Sequence, residues 1–455
     1  MSFTNKFVKV YKALLPSPFT IAIVLSFLAF ILALLFGKGT PGEFKPLTVL
    51  KYWENGLWNN NLIVFAMQMM LMLVLGHVLA LSKPINHFIN SVVVHLNNTS
   101  IAASVVAFLT MSVAFFNWGL GLIFGAILAR KVAEQALKNN WKINYPLIGA
   151  AGYSGLMVWH GGFSGSSLAK VAESGHLASL FPTASFTNEL PQAIIYSETV
   201  FSSLNIFISV LLLLIVPIAL FFLGKKSPST PIQLNSHFEV DSVPMISGAE
   251  KLDHSKILSF SFGSILLIYV LYKIFWVTGF DHFFTPNNIN LLLLSLGILF
   301  HGDFYRFLKA VDEAISGASG ILIQFPLYFG IMGIMRDSEL ISMFSNYISS
   351  ISGPTSFTFF TFFSAGVVNI LVPSGGGQWA IQGPLLIQTA HDIGAPYAKN
   401  ILAFAYGDQL TNMLQPFWAL PLLGITNLKA KQILPYSLFL FIIGLIIFAV
   451  GLLIF

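Results

Sequence analysis

The chain has 455 residues, of which 56% are hydrophobic and 9% charged, with a net charge of +5 and no cysteine. A soluble domain carries about 25% charged residues, so the composition excludes an ordinary soluble enzyme and predicts an all-α polytopic membrane protein whose first partner is the lipid bilayer. The missing cysteines exclude disulfides and thiolate chemistry, and no basic stripe is long enough to hold nucleic acid.

In chain order, Lys6, Lys9 and Lys12 precede a first apolar run at 19–37. That opening mimics a signal peptide. The run is about 19 residues, long enough to span, and its Phe-Gly-Lys end is no small-x-small cleavage site. It reads as the first transmembrane helix. Further spans are expected at 62–80, 146–170, 200–223, 257–277, 289–300, 316–335, 398–425 and 433–455, about nine in total with 289–300 the shortest. Two more apolar stretches, 101–136 and 355–390, read as re-entrant hairpins. Arm 101–116 would be about 24 Å long at 1.5 Å per residue, past the middle of a roughly 30 Å core but short of its far side. Two tilted or short full spans are the alternative.

Residues 225–256, with Ser-Pro-Ser-Thr-Pro, read as a cytoplasmic linker. Residues 171–199 read as a polar outer loop containing Pro182 and Pro191. With the N-terminus placed in the cytoplasm, most of the 23 Lys and Arg residues fall on the cytoplasmic side, as the positive-inside rule asks. The C-terminus then lies outside.

The halves repeat. Ser112-Val-Ala-Phe-Phe-Asn117 matches Ser364-Ala-Gly-Val-Val-Asn369, glycines follow each, and Tyr153 and Tyr406 come at nearly the same distance beyond. The predicted organisation is a first repeat at 1–224 (hairpin 101–136, interrupted helix 146–170), the linker 225–256, a connecting helix 257–277 and a second repeat at 278–455 (hairpin 355–390, interrupted helix 398–425). One joining span after four starts the second copy from the opposite side, which makes the repeat inverted.

The second hairpin holds the most informative residues. Three glycines after Pro373 are poor interior helix residues, and backbone that leaves a helix at membrane depth needs protein or a cavity around it. A break is expected at 374–377, beside Asn369 and Gln378. The outgoing arm would present free N–H groups and its positive end to an anion; the incoming arm would present carbonyls to a cation. The first hairpin should do the same around Asn117-Trp-Gly-Leu-Gly121. Two further breaks are expected at 161–166 and near 412–416. Close helix packing explains one glycine cluster; four at matched positions point to a site.

Asp408 is the clearest intramembrane carboxylate, and such residues default to function: it can ligate a cation, carry a proton, or serve as a structural partner for a neighbouring amide. His160 beside the 161–166 break can hold a carboxylate or titrate, or be simply hydrogen-bonded, and His77 and Gln68 are weaker candidates. Trp118, Trp159, Phe163, Trp379, Phe417 and Trp418 can pack an apolar tail or serve only as packing. No arginine stands at the tips, which argues against a multiply charged anion. Enzyme motifs are missing: no zinc-ligand spacing, no phosphate loop after 375–377, and no strand-turn-helix context for the Gly-Phe-Ser-Gly-Ser segment.

The motifs Phe-Asn-Trp-Gly119, Gly-Gly-Phe-Ser-Gly-Ser166, Val-Pro-Ser-Gly-Gly-Gly-Gln-Trp379 with Ile381-Gln-Gly-Pro384, and Ala405-Tyr-Gly-Asp-Gln409 followed by Asn-Met-Leu-Gln-Pro-Phe-Trp-Ala-Leu-Pro421 resemble the bacterial short-chain fatty acid transporter (AtoE-like) family of the ion transporter superfamily. The resemblance runs over nearly the whole chain. It implies a scaffold domain, a moving transport domain with two hairpins, an elevator mechanism and a homodimer in the bacterial inner membrane. Citrate and dicarboxylate members of the superfamily carry Ser-Asn-Thr at both tips for sodium. Here Asn117-Trp-Gly and Asn369-Ile-Leu stand instead, so only the asparagines carry over.

The expected activity is import of a short monocarboxylate, butyrate or acetoacetate-like, by symport with H⁺ or Na⁺. Substrate contacts are expected from Asn117, Trp118, Gly119, Gly121, His160, Gly162, Ser164, Ser374, Gly375, Gly376, Gly377, Gln378, Asn412 and Gln415. The coupling cation is expected at Asn117, Asn369 and Asp408. No cofactor is expected beyond Na⁺ as one choice of that cation. The alternatives are a di- or tricarboxylate carrier, a weak-acid facilitator or channel, and a membrane enzyme or non-transporting sensor.

Overall fold

The computed structural model describes residues 16–39, 43–181, 185–234, 248–277, 285–353 and 356–455. Lys6, Lys9, Lys12, Pro182, residue 355 and linker residues 235–247 lie outside them. The described residues carry α1 (Pro18–Leu35), α2 (Lys45–Leu57), α3 (Asn60–Leu81), α4 (Lys83–Val93), α5 (Thr99–Phe116), α6 (Trp118–Lys138), α7 (Tyr145–Tyr153), α8 (Ser166–Val171) and α9 (Ser203–Lys226). They continue with α10 (Lys256–Tyr272), α11 (Pro286–His301), α12 (Phe304–Ala314), α13 (Ser319–Asp337), α14 (Leu340–Ser350), α15 (Phe357–Leu371), α16 (Gly375–Asp392), α17 (Tyr397–Thr411), α18 (Pro416–Thr426) and α19 (Ala430–Ile454). Seven helical stretches among the described residues are long and apolar enough to cross a bilayer: Pro18–Leu35, Asn60–Leu81, Thr99–Phe116, Ser203–Lys226, Lys256–Val277, Phe304–Asp337 and Ala430–Ile454. The described residues thus form helices and connecting turns, the make-up of a multi-pass membrane protein.

Helix starts follow from side chains that satisfy the orphan amides of the first turn. Asn98 Oδ1 accepts from Ile101 N at 3.0 Å, Asn144 Oδ1 from Leu147 N at 3.0 Å, and Asp303 Oδ1 from Arg306 N at 2.8 Å. Outward faces stay apolar: Phe27 is 66% exposed, Ile257 81% and Trp276 75%. In a lipid surround that exposure costs nothing, because tails are as apolar as the side chains. The inner contacts use small residues. A methyl on Gly56 of α2 would lie 2.7 Å from Gly333 Cα of α13, and one on Gly125 of α6 would lie 2.2 Å from the Gly152 carbonyl of α7. Close backbone approach is how helices pack where the hydrophobic effect gives no drive.

Several expectations need correction. The short helices α2, α4, α12 and α14 lie where the sequence pattern predicts only connectors. Their apolar residues recur at helical spacing among polar ones, so a long hydropathy window averages them away. The interruption of 146–170 begins earlier than expected: α7 ends at Tyr153 and gives way to 3₁₀ turns at Ser154–Met157 and Trp159–Gly161. Stretch 289–300 is a 16-residue helix, about 24 Å long. The expected break at 374–377 falls instead at 372–374, and the glycines form the first turn of α16. There glycine costs least, because first-turn amides have no intrahelical partner to lose.

The hairpin tips are not placed alike. Asn117 is the N-cap of α6. Asn369, its sequence match, lies inside α15, and Ser374 is the N-cap of α16. The arms are about 27 Å for the 18 residues of α5 and about 22 Å for the 15 residues of α15.

Candidate functional site

All four backbone breaks contribute to one cavity of about 500 Å³. Trp118 comes from the first tip; Trp159, Phe163, Ser164 and Ser166 from the first interrupted span; Ser374, Gly375 and Gly376 from the second tip; and Trp418 from the second interrupted span. Phe65 of α3, Tyr196, Thr285 and Pro286 complete its wall. Glu173 is the charged side chain on it, and among the described residues no arginine or lysine lines it.

Each of the two interrupted spans takes part of its hydrogen bonding from side chains of the other half of the chain. The Tyr153 hydroxyl donates to the carbonyls of Asn412 at 2.7 Å and Gln415 at 3.0 Å. Gln409 Oε1 accepts from the amides of His160 at 2.8 Å and Gly161 at 3.2 Å. Asn205 Nδ2 donates to the Gly161 carbonyl at 2.8 Å and is itself held by the Tyr406 hydroxyl, which donates to Asn205 Oδ1 at 3.0 Å. Freed backbone groups at membrane depth persist only with such partners. Sequence reasoning passed over Asn205 and Gln409. The signal for Asn205 was an amide inside an apolar run, and that for Gln409 its place directly after Asp408.

At the first tip, Asn117 Oδ1 accepts from Leu120 N at 2.8 Å, and Trp118 N donates to Ser164 Oγ at 2.9 Å. Gly121 N is taken by the Asn117 carbonyl at 2.9 Å. Of the first-turn amides, that of Gly119 has no acceptor among the described residues. Gly121 serves packing, since a methyl there would lie 2.4 Å from Ala114 Cβ. Gly162 packs likewise, since a methyl there would lie 2.1 Å from the Phe115 carbonyl oxygen.

At the second tip, Ser374 Oγ accepts from Gly377 N at 3.2 Å and the Ser374 carbonyl from Gln378 N at 2.7 Å. Among the described residues the amides of Gly375 and Gly376 have no acceptor, and both residues border the cavity. Gln378 turns away: its Nε2 donates to the Ala365 carbonyl at 2.8 Å and to Gln382 Oε1 at 2.6 Å.

Behind Gly375 lies a buried polar cluster. A methyl on Gly375 would sit 2.9 Å from His160 Cε1, 3.0 Å from Asp408 Oδ2 and 3.0 Å from Trp159. His160 and Asp408 are 0% exposed, with His160 Nδ1 3.3 Å from Asp408 Oδ2. Ser167 N donates to His160 Nε2 at 3.2 Å. An amide can only donate, so the ring proton belongs on Nδ1, facing the carboxylate. The 3.3 Å contact is not aligned as a hydrogen bond, and both carboxylate oxygens of Asp408 are buried without a donor. Beside them, Asn369 Nδ2 donates to the Asp408 carbonyl at 2.7 Å, Thr411 Oγ1 at 2.9 Å and Asn412 Oδ1 at 2.9 Å. Gln415 Nε2 donates to the Asn369 carbonyl at 2.6 Å.

The structure thus gathers Asn369, Asp408, Asn412 and Gln415 into one network behind the second tip. Asn117, Trp118 and Ser164 form a second group at the first tip. Of the aromatics expected to pack a tail, Trp118, Trp159, Phe163 and Trp418 line the cavity. Trp159 and Trp418 each carry a buried indole N–H with no acceptor. Trp379 instead packs on Phe404 and donates to His176 Nε2 at 3.0 Å, while Phe417 stacks on Phe325 at 4.1 Å. Arg130 is held elsewhere, donating to the Ile425 carbonyl at 2.9 Å and pairing with Glu134 at 3.0 Å. Among the described residues no group of three or more His, Asp or Glu is placed to hold a metal ion.

Comparison with known proteins agrees with the resemblance read from the motifs. A relative from Escherichia coli (strain K12) is 34% identical over 452 residues, which cover 97% of this chain and 96% of the relative. One from Haemophilus influenzae (strain ATCC 51907 / DSM 11121 / KW20 / Rd) is 35% identical over 458 residues, covering 99% and 98%. Both carry the provisional name short-chain fatty acid transporter. Among solved structures, Neisseria gonorrhoeae MtrF, from a class of antimetabolite efflux pumps, is 12% identical and covers 97% of each chain with a TM-score of 0.42. The Alcanivorax borkumensis YdaH transporter is also 12% identical, covering 95% of this chain and 98% of its own, with a TM-score of 0.42. Likenesses of that size carry no argument here. The matched family and both relatives are transporters and not enzymes. Over residues 1–455 the sequence matches the short chain fatty acid transporter family, and the chain belongs to it.

Proposed function

We propose that the chain imports short-chain monocarboxylates, butyrate and acetoacetate-like acids, by symport with a cation. The observation that carries this reading is the approach of Gly375 to Asp408 and His160 at the edge of the cavity. The first turn of α16 offers two unpaired amides and the positive end of a helix to a carboxylate. One layer behind them stands a carboxylate with no donor. An ionised acid buried without partners is costly, so Asp408 is completed by a proton or by Na⁺, and Asn369 joins it as the coupling residue. Asn117 is assigned to the first tip's share of the site. The aromatic wall suits a short apolar tail, and the lack of a basic residue on it disfavours a di- or tricarboxylate.

In the same reading the two halves are inverted repeats and their hairpins are re-entrant. The hairpins with the interrupted spans form a transport domain that moves elevator-fashion against a scaffold in a homodimer. The N-terminus is cytoplasmic and the membrane is the bacterial inner membrane. Support comes from the repeated order of elements and the cross-half bonds of Tyr153 and Tyr406.

Uptake of labelled butyrate into proteoliposomes under imposed proton or sodium gradients tests the reading. Accumulation driven by one gradient, with saturable counterflow and no competition by succinate, is expected. Ohmic conductance without counterflow would replace the transporter with a channel.

A further inference from the structure

A separate apolar groove, of about 560 Å³, lies between α1, α13, α14 and α15. Leu32 and Phe36 of α1, Met335 of α13, Met343 and Tyr347 of α14 and Val367 of α15 line it. Phe36, Met343, Tyr347 and Val367 are exposed, so the groove opens on the outer surface. Both α1 and α13 belong to stretches apolar enough to cross a bilayer, and charge follows directly where each ends. Lys38 N donates to the Ser338 carbonyl at 2.9 Å, which sets the end of α1 against the turn after α13. There Lys38 pairs with Glu339 at 2.6 Å, and Arg336 with Asp337 at 2.6 Å. Phe36, Met335 and Leu340 of the lining are next to these charges in sequence. A collar of alternating charge therefore stands at one end of the groove, with Lys38, Arg336 and Glu339 exposed.

We propose that this groove holds an acyl chain of a zwitterionic phospholipid, phosphatidylethanolamine, whose headgroup lies on the charged collar. Apolar spans end where hydrocarbon gives way to headgroups. The collar is thus at headgroup level, and the groove runs beneath it in the hydrocarbon. An open apolar groove at that depth fills with a lipid tail, because an unfilled one forfeits dispersion contacts. Tails are as apolar as the lining, so the hydrophobic effect does not select the occupant. The collar does. Phosphate oxygens match Lys38 and Arg336, and a primary ammonium matches Asp337 and Glu339. Exposed ion pairs contribute little to stability, so these four groups can exchange a partner for a headgroup at small cost. An anionic headgroup without an ammonium leaves both carboxylates facing like charge. The helix α15 separates the groove from the polar network behind the second tip. Val367 lines the groove, whereas Asn369 is 0% exposed and donates to the Asp408 carbonyl at 2.7 Å. A lipid tail in the groove therefore braces the helix that carries Asn369. The site does not depend on which solute the chain carries.

The test uses the full chain in nanodiscs that contain phosphatidylethanolamine with a photoactivatable group in its acyl chain. Labelled positions are read by mass spectrometry. Labelling should concentrate on residues 335–347 and 367–371, and unlabelled phosphatidylethanolamine should compete about fivefold better than phosphatidylglycerol. Val367→Trp and Met343→Trp each fill the groove and should cut labelling there by about tenfold. Labelling around Phe222, an exposed ring on α9, should not change. Asp337→Asn combined with Glu339→Gln leaves only cations on the collar and should reverse the preference between the two lipids. Groove labelling no heavier than that around Phe222, or undiminished in both tryptophan variants, would overturn the proposal. So would Met343→Cys chains that oxidise to dimers in the membrane. The native chain has no cysteine, so such a bond would mean that a second copy covers the groove. If neither tryptophan variant can be reconstituted, the lipid competition on wild type decides alone.

Discussion

Asp408 Oδ2 stands 3.3 Å from His160 Nδ1 with both side chains sealed from solvent, and Gly375 closes over the pair from the second hairpin. The residue that seals the buried acid also borders the cavity. On the proposed transport reading, a single turn of α16 links occupation of the acid to occupation of the cavity.

Asp408→Asn preserves the shape of the side chain and removes its charge. Accumulation of butyrate against a gradient should fall at least about tenfold, the effect of roughly 1.4 kcal/mol. The carboxylate accepts no hydrogen bond that the amide would lose, and removing a buried charge relieves its desolvation cost, so thermal unfolding in detergent should not move downward. A variant that accumulates butyrate as wild type does would remove Asp408 from coupling.

Neighbouring glycines should respond differently to the same methyl. Gly375→Ala puts it 2.9 Å from His160 Cε1, whereas Gly376→Ala meets only Ser166, at 3.9 Å. The first must push α16 off the His160–Asp408 pair, and a displacement near 1 Å can cost about 10²-fold in a positioned site. The second sits in open space. Initial uptake rates of the two variants should separate accordingly; equal losses would mean that the close approach at Gly375 is incidental.

Much of this architecture was legible in the residues. Apolar runs gave the long helices, and paired breaks of glycine and proline gave the cavity from all four directions. Element ends were less legible, because the glycine run 375–377 reads as a loop until Ser374 is seen capping it. The short helices were hidden, since α4 and α14 cover one face only and need a neighbour to define it. The satisfying partners were hidden for a different reason. Tyr153 and Asn412 are more than 250 positions apart, and no local pattern announces such a bond. Phe65 and Asn205 belong to spans that look uniform in hydropathy.

Tyr153→Phe removes a single hydroxyl that serves two buried carbonyls. Leaving buried acceptors unsatisfied costs about 1–3 kcal/mol. Thermal stability should drop measurably, and the loss should exceed that of a hydroxyl removed at the exposed Tyr347. Tyr406→Phe should cost a similar amount, because Asn205 then loses its donor. An unchanged unfolding temperature in Tyr153→Phe would show that water or backbone adjustment replaces the bond.

A pH dependence is expected beside the tip of the second hairpin, where His176 meets Trp379. Trp379 Nε1 donates to His176 Nε2 at 3.0 Å, so this contact requires the unprotonated ring nitrogen. Burial holds the pKa of His176 below its usual 6.5. Glu173 pulls the other way and Lys170 adds to the lowering, and these two charges pair with each other at 2.9 Å. Because the folded value is depressed, the unfolded chain binds more protons just below pH 6.5. The contribution is therefore full above that pH and declines as pH falls through the lowered folded value. His176→Gln keeps an acceptor for the indole but cannot titrate. Unfolding temperatures of wild type and His176→Gln, followed from pH 8 to pH 5, should run parallel at the alkaline end and separate below pH 6.5, with wild type the less stable. Curves that stay parallel throughout would leave the Trp379 contact without a role in any acid response.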